Sequence, residues 1–350
     1  MEPAARGVVS RALDLSLGAA TIARVDPAAP DHPLRTGAAL LDLSELGAFR
    51  VTGDDRVRFL NGMLTANIPV LLPGAGCAAF QLDHKGHVLA LLDVLCRGDQ
   101  GFVLACERAV LPQVMAGLVR YVIADKVELA DLSADHGWVG VEGPRACEVA
   151  LAATGAARMP SAPFGQVTVH APVPALAVRA TWSGADGVRF LVSTGGRDAL
   201  VGALAAAGAV AVDPSVVEAF RIERGVPRHR RDFDERNLVQ ETGMLHAVAI
   251  GKGCYRGQET FERVRSRGGV NRVLAGLLID GPPPASGTAL TREGESRDVG
   301  FVTSSVRSPH FRRALALGYV RTAFAAPGTT LVAGGAAAIV AALPFTPEIP

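Results

Sequence analysis

The densest concentration of chemically capable side chains in the 350-residue chain is the stretch Gly251-Lys252-Gly253-Cys254-Tyr255-Arg256-Gly257-Gln258-Glu259. Its three glycines allow the backbone left-handed turns and close approach to a ligand. Cys254 has Lys252 two residues before it and Arg256 two after, and nearby positive charge stabilises a thiolate, the reactive form of cysteine. A phosphate loop is excluded, because Lys252 is followed by Gly253 instead of Ser or Thr and the glycine spacing is wrong. Composition leaves two readings open: a functional thiol, or a structural turn around an ordinary cysteine.

The other candidates are sparser. Of 35 basic residues only Lys85, Lys126 and Lys252 are lysines, so each marks a place where arginine does not serve. Cys77, Cys96, Cys106, Cys147 and Cys254 include no pair at zinc or cluster-ligand spacing, and no metal site is expected. His84 and His87 flank a turn glycine and have no third ligand nearby. The Arg228-His229-Arg230-Arg231 run reads as a solvated loop.

These residues need elements to hold them. Apolar periodicity predicts strands at 48–52, 76–82, 88–95 and 102–105 and helices at 54–64 and 111–120, with Asp54 capping the first helix and the turn Asp83-His84-Lys85-Gly86 joining two strands. A second unit repeats the alternation: strands at 138–141 and 189–192, helices at 147–153 and 197–207. The best-signalled helix spans 214–224, with Asp213 as cap, Pro214 at its first position, and Gly225 and Pro227 ending it. Beyond Arg272 short apolar runs separated by Gly and Pro predict a small β-barrel or sandwich, with Pro282-Pro283-Pro284 in a loop. The division expected is a lead-in at 1–38 with one helix at most, a first α+β lobe at 39–134, a second at 135–270 and a barrel at 271–350.

The net charge of +1 and the absence of long single-sign runs argue against a nucleic-acid groove or an anionic-lipid surface. No apolar run reaches the roughly 18 residues of a membrane span, and the first 25 residues lack the apolar core of a signal peptide. The expectation is a cytoplasmic monomer without direct nucleic-acid or membrane contact.

Lys252-Gly253-Cys254-Tyr255-Arg256-Gly257-Gln258-Glu259 resembles the K-G-C-Y-x-G-Q-E signature of YgfZ-type proteins, which belong to the aminomethyltransferase (glycine-cleavage T-protein)-like folate-binding superfamily. Three further segments are similar in order and spacing: Val51–Arg56 with Phe59–Gly62 and Leu64-Thr65; Asp83–Gly86; and Arg221-Ile222-Glu223-Arg224-Gly225-Val226-Pro227. Gly300–Ser304 and Ser308-Pro309 resemble the T-protein barrel, so the likeness spans about residues 39–345. It implies an α+β, three-lobed fold with a C-terminal β-barrel around a central folate cavity. The ligand implied is tetrahydrofolate or a one-carbon-substituted folate, and the function implied is assembly or repair of iron–sulfur clusters in client enzymes, including some that modify tRNA. By the same resemblance Cys254 and Lys252 are the reactive pair, and Glu223, Arg221, Lys85, Tyr255 and Gln258 hold the folate. A pterin ring presents an amine beside a ring N–H, which the Glu223 carboxylate can accept as a pair; an ion pair with Arg221 or Arg224 is the competing reading. The arginine run 228–231 has a second role on this view, holding the glutamate tail of folate or an acidic client surface.

One departure bears on activity. Where T-proteins carry two aspartates after the glycine turn, this chain has Ala90 and Leu91, which cannot polarise an amine. Asp93 comes two or three positions later, and a one-residue slip along a strand reverses its face. Tryptophans that some YgfZ-type proteins place near folate have Leu46 and Val217 at about their positions. The chain is therefore read first as a folate-binding factor, with whether it is an enzyme left open between that and two alternatives: a one-carbon (aminomethyl) transferase, or a non-catalytic scaffold.

Overall fold

The computed structural model of the protein describes residues 32–346, so most of the expected lead-in lies outside them. Runs such as Gly76–Leu82 and Val88–Cys96 are apolar nearly throughout because both of their faces are covered. They open a five-stranded antiparallel sheet that continues through Phe102–Glu107, Leu46–Thr52 and Glu128–Asp131. Helices Arg56–Met63 and Leu111–Val119 cover one face around Phe49, Leu60, Leu92, Val94 and Leu104.

The second sheet runs in the order Val210–Ala211, Ala39–Asp42, His136–Glu142, Gly187–Ser193, Ala175–Arg179, Gln166–Val169, parallel only in its first pairing. Its outer face is backed by helices Ala146–Thr154 and Arg197–Ala206. Ala39–Asp42 pairs here, so the chain starts in the second sheet, builds the first, and returns. The inner faces of the two sheets share a third core, which helix Pro214–Glu223 closes with Val216 and Phe220.

Residues from Arg272 onward form a closed six-stranded barrel: Arg272–Asp280 pairs with both Arg313–Arg321 and Ala336–Ala341, leaving no free edge. Pro282–Pro284 lies between its first two strands. Helix Pro214–Glu223 ends as its sequence dictates. Asp213 accepts a hydrogen bond from Ser215 N (2.8 Å), and Gly225 leads the chain away. The cap of helix Arg56–Met63 is Asp55, not Asp54; its carboxylate accepts from Lys126 N (2.8 Å) and ties the helix start to a distant loop.

Helix Gln258–Arg267 and strands Glu128–Asp131, Gln166–Val169 and Ala175–Arg179 are additions to the sequence reading. The helix gives little apolar signal, burying Phe261 and little else of bulk. No helix among the described residues is long and apolar enough to cross a membrane.

Candidate functional site: a central cavity and an exposed cysteine strap

A cavity of about 780 Å³ lies where the inner sheet faces, the segment after helix Pro214–Glu223 and the barrel meet. Strand alternation decides what enters it. In Val88–Cys96, Ala90, Leu92 and Val94 turn into the outer core, while Leu91 and Asp93 turn to the cavity. Asp93 is two residues beyond Leu91 and therefore keeps its face; the expectation that its position removes it from the site is corrected. Opposite it, Arg189 stands between Val188 and Phe190, which enter the outer core of the second sheet.

Arg189 Nη1 donates to Asp93 Oδ2 at 2.8 Å, joining the two sheets inside the cavity. Burial pushes the Asp93 carboxyl above its usual range, and Arg189 opposes the shift. Arg189 Nε is buried and has no partner among the described residues. The pair gives the cavity one polar end, a desolvated carboxylate beside a guanidinium.

Trp182 supplies the flat wall. It sits on the loop after Ala175–Arg179, held from below by the fully buried Glu142 carboxylate, which accepts from Trp182 N, Ser183 N and the Thr181 and Ser183 hydroxyls. Desolvation pushes the Glu142 carboxyl up, and these donors offset part of that rise. The Arg228 guanidinium lies 3.8 Å from the Trp182 ring centroid and donates to Glu45 (2.6 Å) and Glu107 (3.3 Å). Arg228 and His229 are thus buried cavity residues, not a solvated loop. Burial, with Arg230 nearby, pushes His229 down to about 4, so its ring is neutral at pH 7.

None of the seven residues singled out by resemblance lines this cavity. Glu223 is buried, but its carboxylate takes the Arg35 guanidinium and the Ser308 hydroxyl of the barrel. Arg221, 1% exposed, donates to Glu218 (2.6 Å), Asp232 (2.7 Å), Ser304 (2.7 Å) and the Val226 carbonyl (3.1 Å). Both side chains seam their helix to the barrel. Lys85 is exposed on its turn. Tyr255 is buried among Phe80, Leu82, Phe233 and Phe261, with its hydroxyl pushed up to about 12 by desolvation. Gln258 Oε1 accepts from Tyr255 N (3.3 Å).

The two glycine motifs instead interlock. At Gly257 (φ +83°) a Cβ would come within 2.6 Å of the Asp83 carbonyl, and at Gly86 (φ +81°) within 2.9 Å of Thr260 Cβ. Only glycine fits either place, which joins the Asp83–Gly86 turn to the Cys254 segment. Cys254 is the one exposed cysteine of the five. Lys252 does not reach toward it: Nζ donates to the carbonyls of Asn61, Leu64 and Ala66, each at 2.6 Å. Burial pulls this ammonium down to about 8.

Asp93 and Arg189 carried a sequence signal after all, each being the only charged residue inside a strand covered on both faces. Trp182 carried none, since its place depends on Glu142.

Two helix-backed sheets face each other across a cavity of about 780 Å³, with a barrel at its end. Residues 28–252 match the GCVT N-terminal domain and residues 272–345 the glycine cleavage T-protein C-terminal barrel domain, and the chain belongs to this glycine-cleavage T-protein family. An aminomethyltransferase of Streptomyces coelicolor is 30% identical, with 85% of this chain and 82% of the relative aligned. A putative chloroplastic transferase of Arabidopsis thaliana is 26% identical, over 88% of this chain and 71% of its own length. Among solved structures, the glycine cleavage system aminomethyltransferase T of Bartonella henselae superposes with a TM-score of 0.81 at 22% identity, over 89% of this chain and 87% of that one. The fold is thus the aminomethyltransferase-like one.

Proposed function

We propose that the chain binds tetrahydrofolate, or a one-carbon-substituted folate, in the central cavity and supports iron–sulfur cluster assembly or repair in client enzymes, including tRNA-modifying ones, through Cys254. The Asp93–Arg189 pair beside Trp182 carries the folate reading. A pterin edge offers an amine and a ring N–H next to a carbonyl oxygen. Asp93 is an acceptor for the first two and Arg189 a donor for the third, while an indole face stacks on the ring.

Support for a protein client comes from the surface. The large apolar side chains exposed among the described residues fall on 70–72, 119–123 and 245–250. Ile250 lies four residues before Cys254, and the Tyr121 ring lies 4.6 Å from the Arg256 guanidinium. Exposed apolar groups gathered near a free thiol suit a docking face.

One observation favours a second reading, aminomethyl or other one-carbon transfer: Asp93 does present a carboxylate to the cavity. Its engagement by Arg189 and the apolar Leu91 beside it weigh against a free general base.

Titration of tetrahydrofolate tests the first reading, with binding at one ligand per chain expected and no binding leaving only a scaffold. A methylene-transfer assay on the same protein should show no turnover; turnover abolished by Asp93→Asn would establish the transferase. Cys254→Ser should bind folate normally yet fail to sustain iron–sulfur enzymes in cells.

A further inference from the structure

The residues before and after Cys254 are held firmly while the thiol is left outside. Ala249 N donates to the Thr65 carbonyl (2.9 Å), the Thr65 hydroxyl donates to the Ala247 carbonyl (2.7 Å), and Arg256 N donates to the Gly62 carbonyl (3.0 Å). Tyr255 is buried immediately after Cys254. Residues 247–256 thus form a strap along 61–66, the end of helix Arg56–Met63 and the residues after it. Gly251 and Gly253 in its middle have left-handed backbones and nothing within 4 Å of a built Cβ, so packing does not hold them.

The middle of the strap is fastened by one side chain. Lys252 Nζ has three carbonyl oxygens at 2.6 Å and Asn61 Oδ1 at 3.2 Å, and its ammonium lies 5.1 Å from the Tyr255 ring centroid. An ammonium has three N–H donors on a single nitrogen, which suits three oxygens converging on one point. A guanidinium spreads its donors over a plane and cannot place three on one centre. In a chain that uses lysine at only three positions among 35 basic residues, this geometry explains the lysine. At least one of the carbonyls, that of Asn61, belongs to the last turn of a helix, where acceptors lack partners within the helix and a cation is favoured.

We propose that Lys252 is the positioning residue of the Cys254 site, a three-donor pin that seats the strap and fixes where the thiol is presented. Its importance for clients rests on the reading that Cys254 is the client-facing group; the pin itself does not. Lys252 acts through geometry and not by lending charge to the sulfur.

The test compares wild type, Lys252→Arg and Lys252→Met, each first shown folded by a cooperative melt. Hydrogen exchange of the amides in 247–256 should quicken at least tenfold in both variants, while the barrel amides of 272–341 stay protected. The pH profile of Cys254 alkylation, read by mass spectrometry, should keep one shape in all three proteins. Retained strap protection in Lys252→Arg would overturn the proposal, as would an alkylation profile displaced upward in Lys252→Met and restored in Lys252→Arg, because either makes Lys252 a charge and not a pin. If neither variant folds, the same comparison is made with Asn61→Ala, where the pin account expects a partial loss of strap protection and a purely electrostatic one expects none. Cys254→Ser separates the two claims: if it still sustains iron–sulfur enzymes, the client reading falls while the exchange data decide the pin.

Discussion

Two charged clusters bridge the lobes of this protein, and they differ in what lies beside them. At the seam between helix Pro214–Glu223 and the barrel, Arg221 meets Glu218, Asp232 and Ser304, and the Glu223 carboxylate meets Arg35 and Ser308. In the cavity, Arg189 donates to Asp93 and its guanidinium lies 5.7 Å from the Trp182 ring centroid. Each cluster keeps one buried guanidinium nitrogen, Arg35 Nε in the seam and Arg189 Nε in the cavity, without a partner among the described residues, but only the second faces a volume that a ligand can enter. The motif likeness draws attention to the seam; the geometry draws it to the cavity.

Removing a seam residue should have the largest effect on stability. Arg221→Met strands Asp232, whose side chain is fully buried, and should cost about 3–5 kcal/mol in urea denaturation. Arg189→Met should cost less stability, about 2 kcal/mol, because Asp93 can take up a proton in compensation, yet weaken folate binding at least tenfold. Equal stability costs for the two variants would erase the distinction between the clusters.

The buried His229 sharpens the picture through pH. Its folded-state value of about 4 lies below the ordinary histidine value of 6.5, so the folded chain binds fewer protons between those limits. Stability from this group is therefore complete above pH 6.5 and is lost as the pH falls toward 4, by about 3 kcal/mol. His229→Phe should flatten that part of the acid denaturation profile. Trp182→Ala should have the smallest effect on binding, lowering folate affinity by about 1 kcal/mol.

How much of this was legible in the sequence depended on whether a residue's surroundings were local. The cap at Asp213, the strand Gly76–Leu82 and the change to barrel strands at Arg272 follow from short-range pattern, and the structure has all three. The contact of Glu223 with Ser308 is not legible in the sequence, because the face a helix residue presents is known only once the barrel beside it is known. Asp93 was discounted on strand phase, although two residues restore the face of Leu91. Lys252 was tied to its sequence neighbour Cys254, while its partners are 186 to 191 residues away.

The measurement that bears most directly on the central claim is a calorimetric titration of tetrahydrofolate into three proteins: wild type, Glu223→Gln and Arg189→Met. The account predicts that wild type and Glu223→Gln bind within about twofold of each other, since the seam carboxylate does not touch the ligand, while Arg189→Met binds at least tenfold more weakly. Folded Glu223→Gln losing affinity while Arg189→Met retains it would contradict the account and return the pterin to the seam.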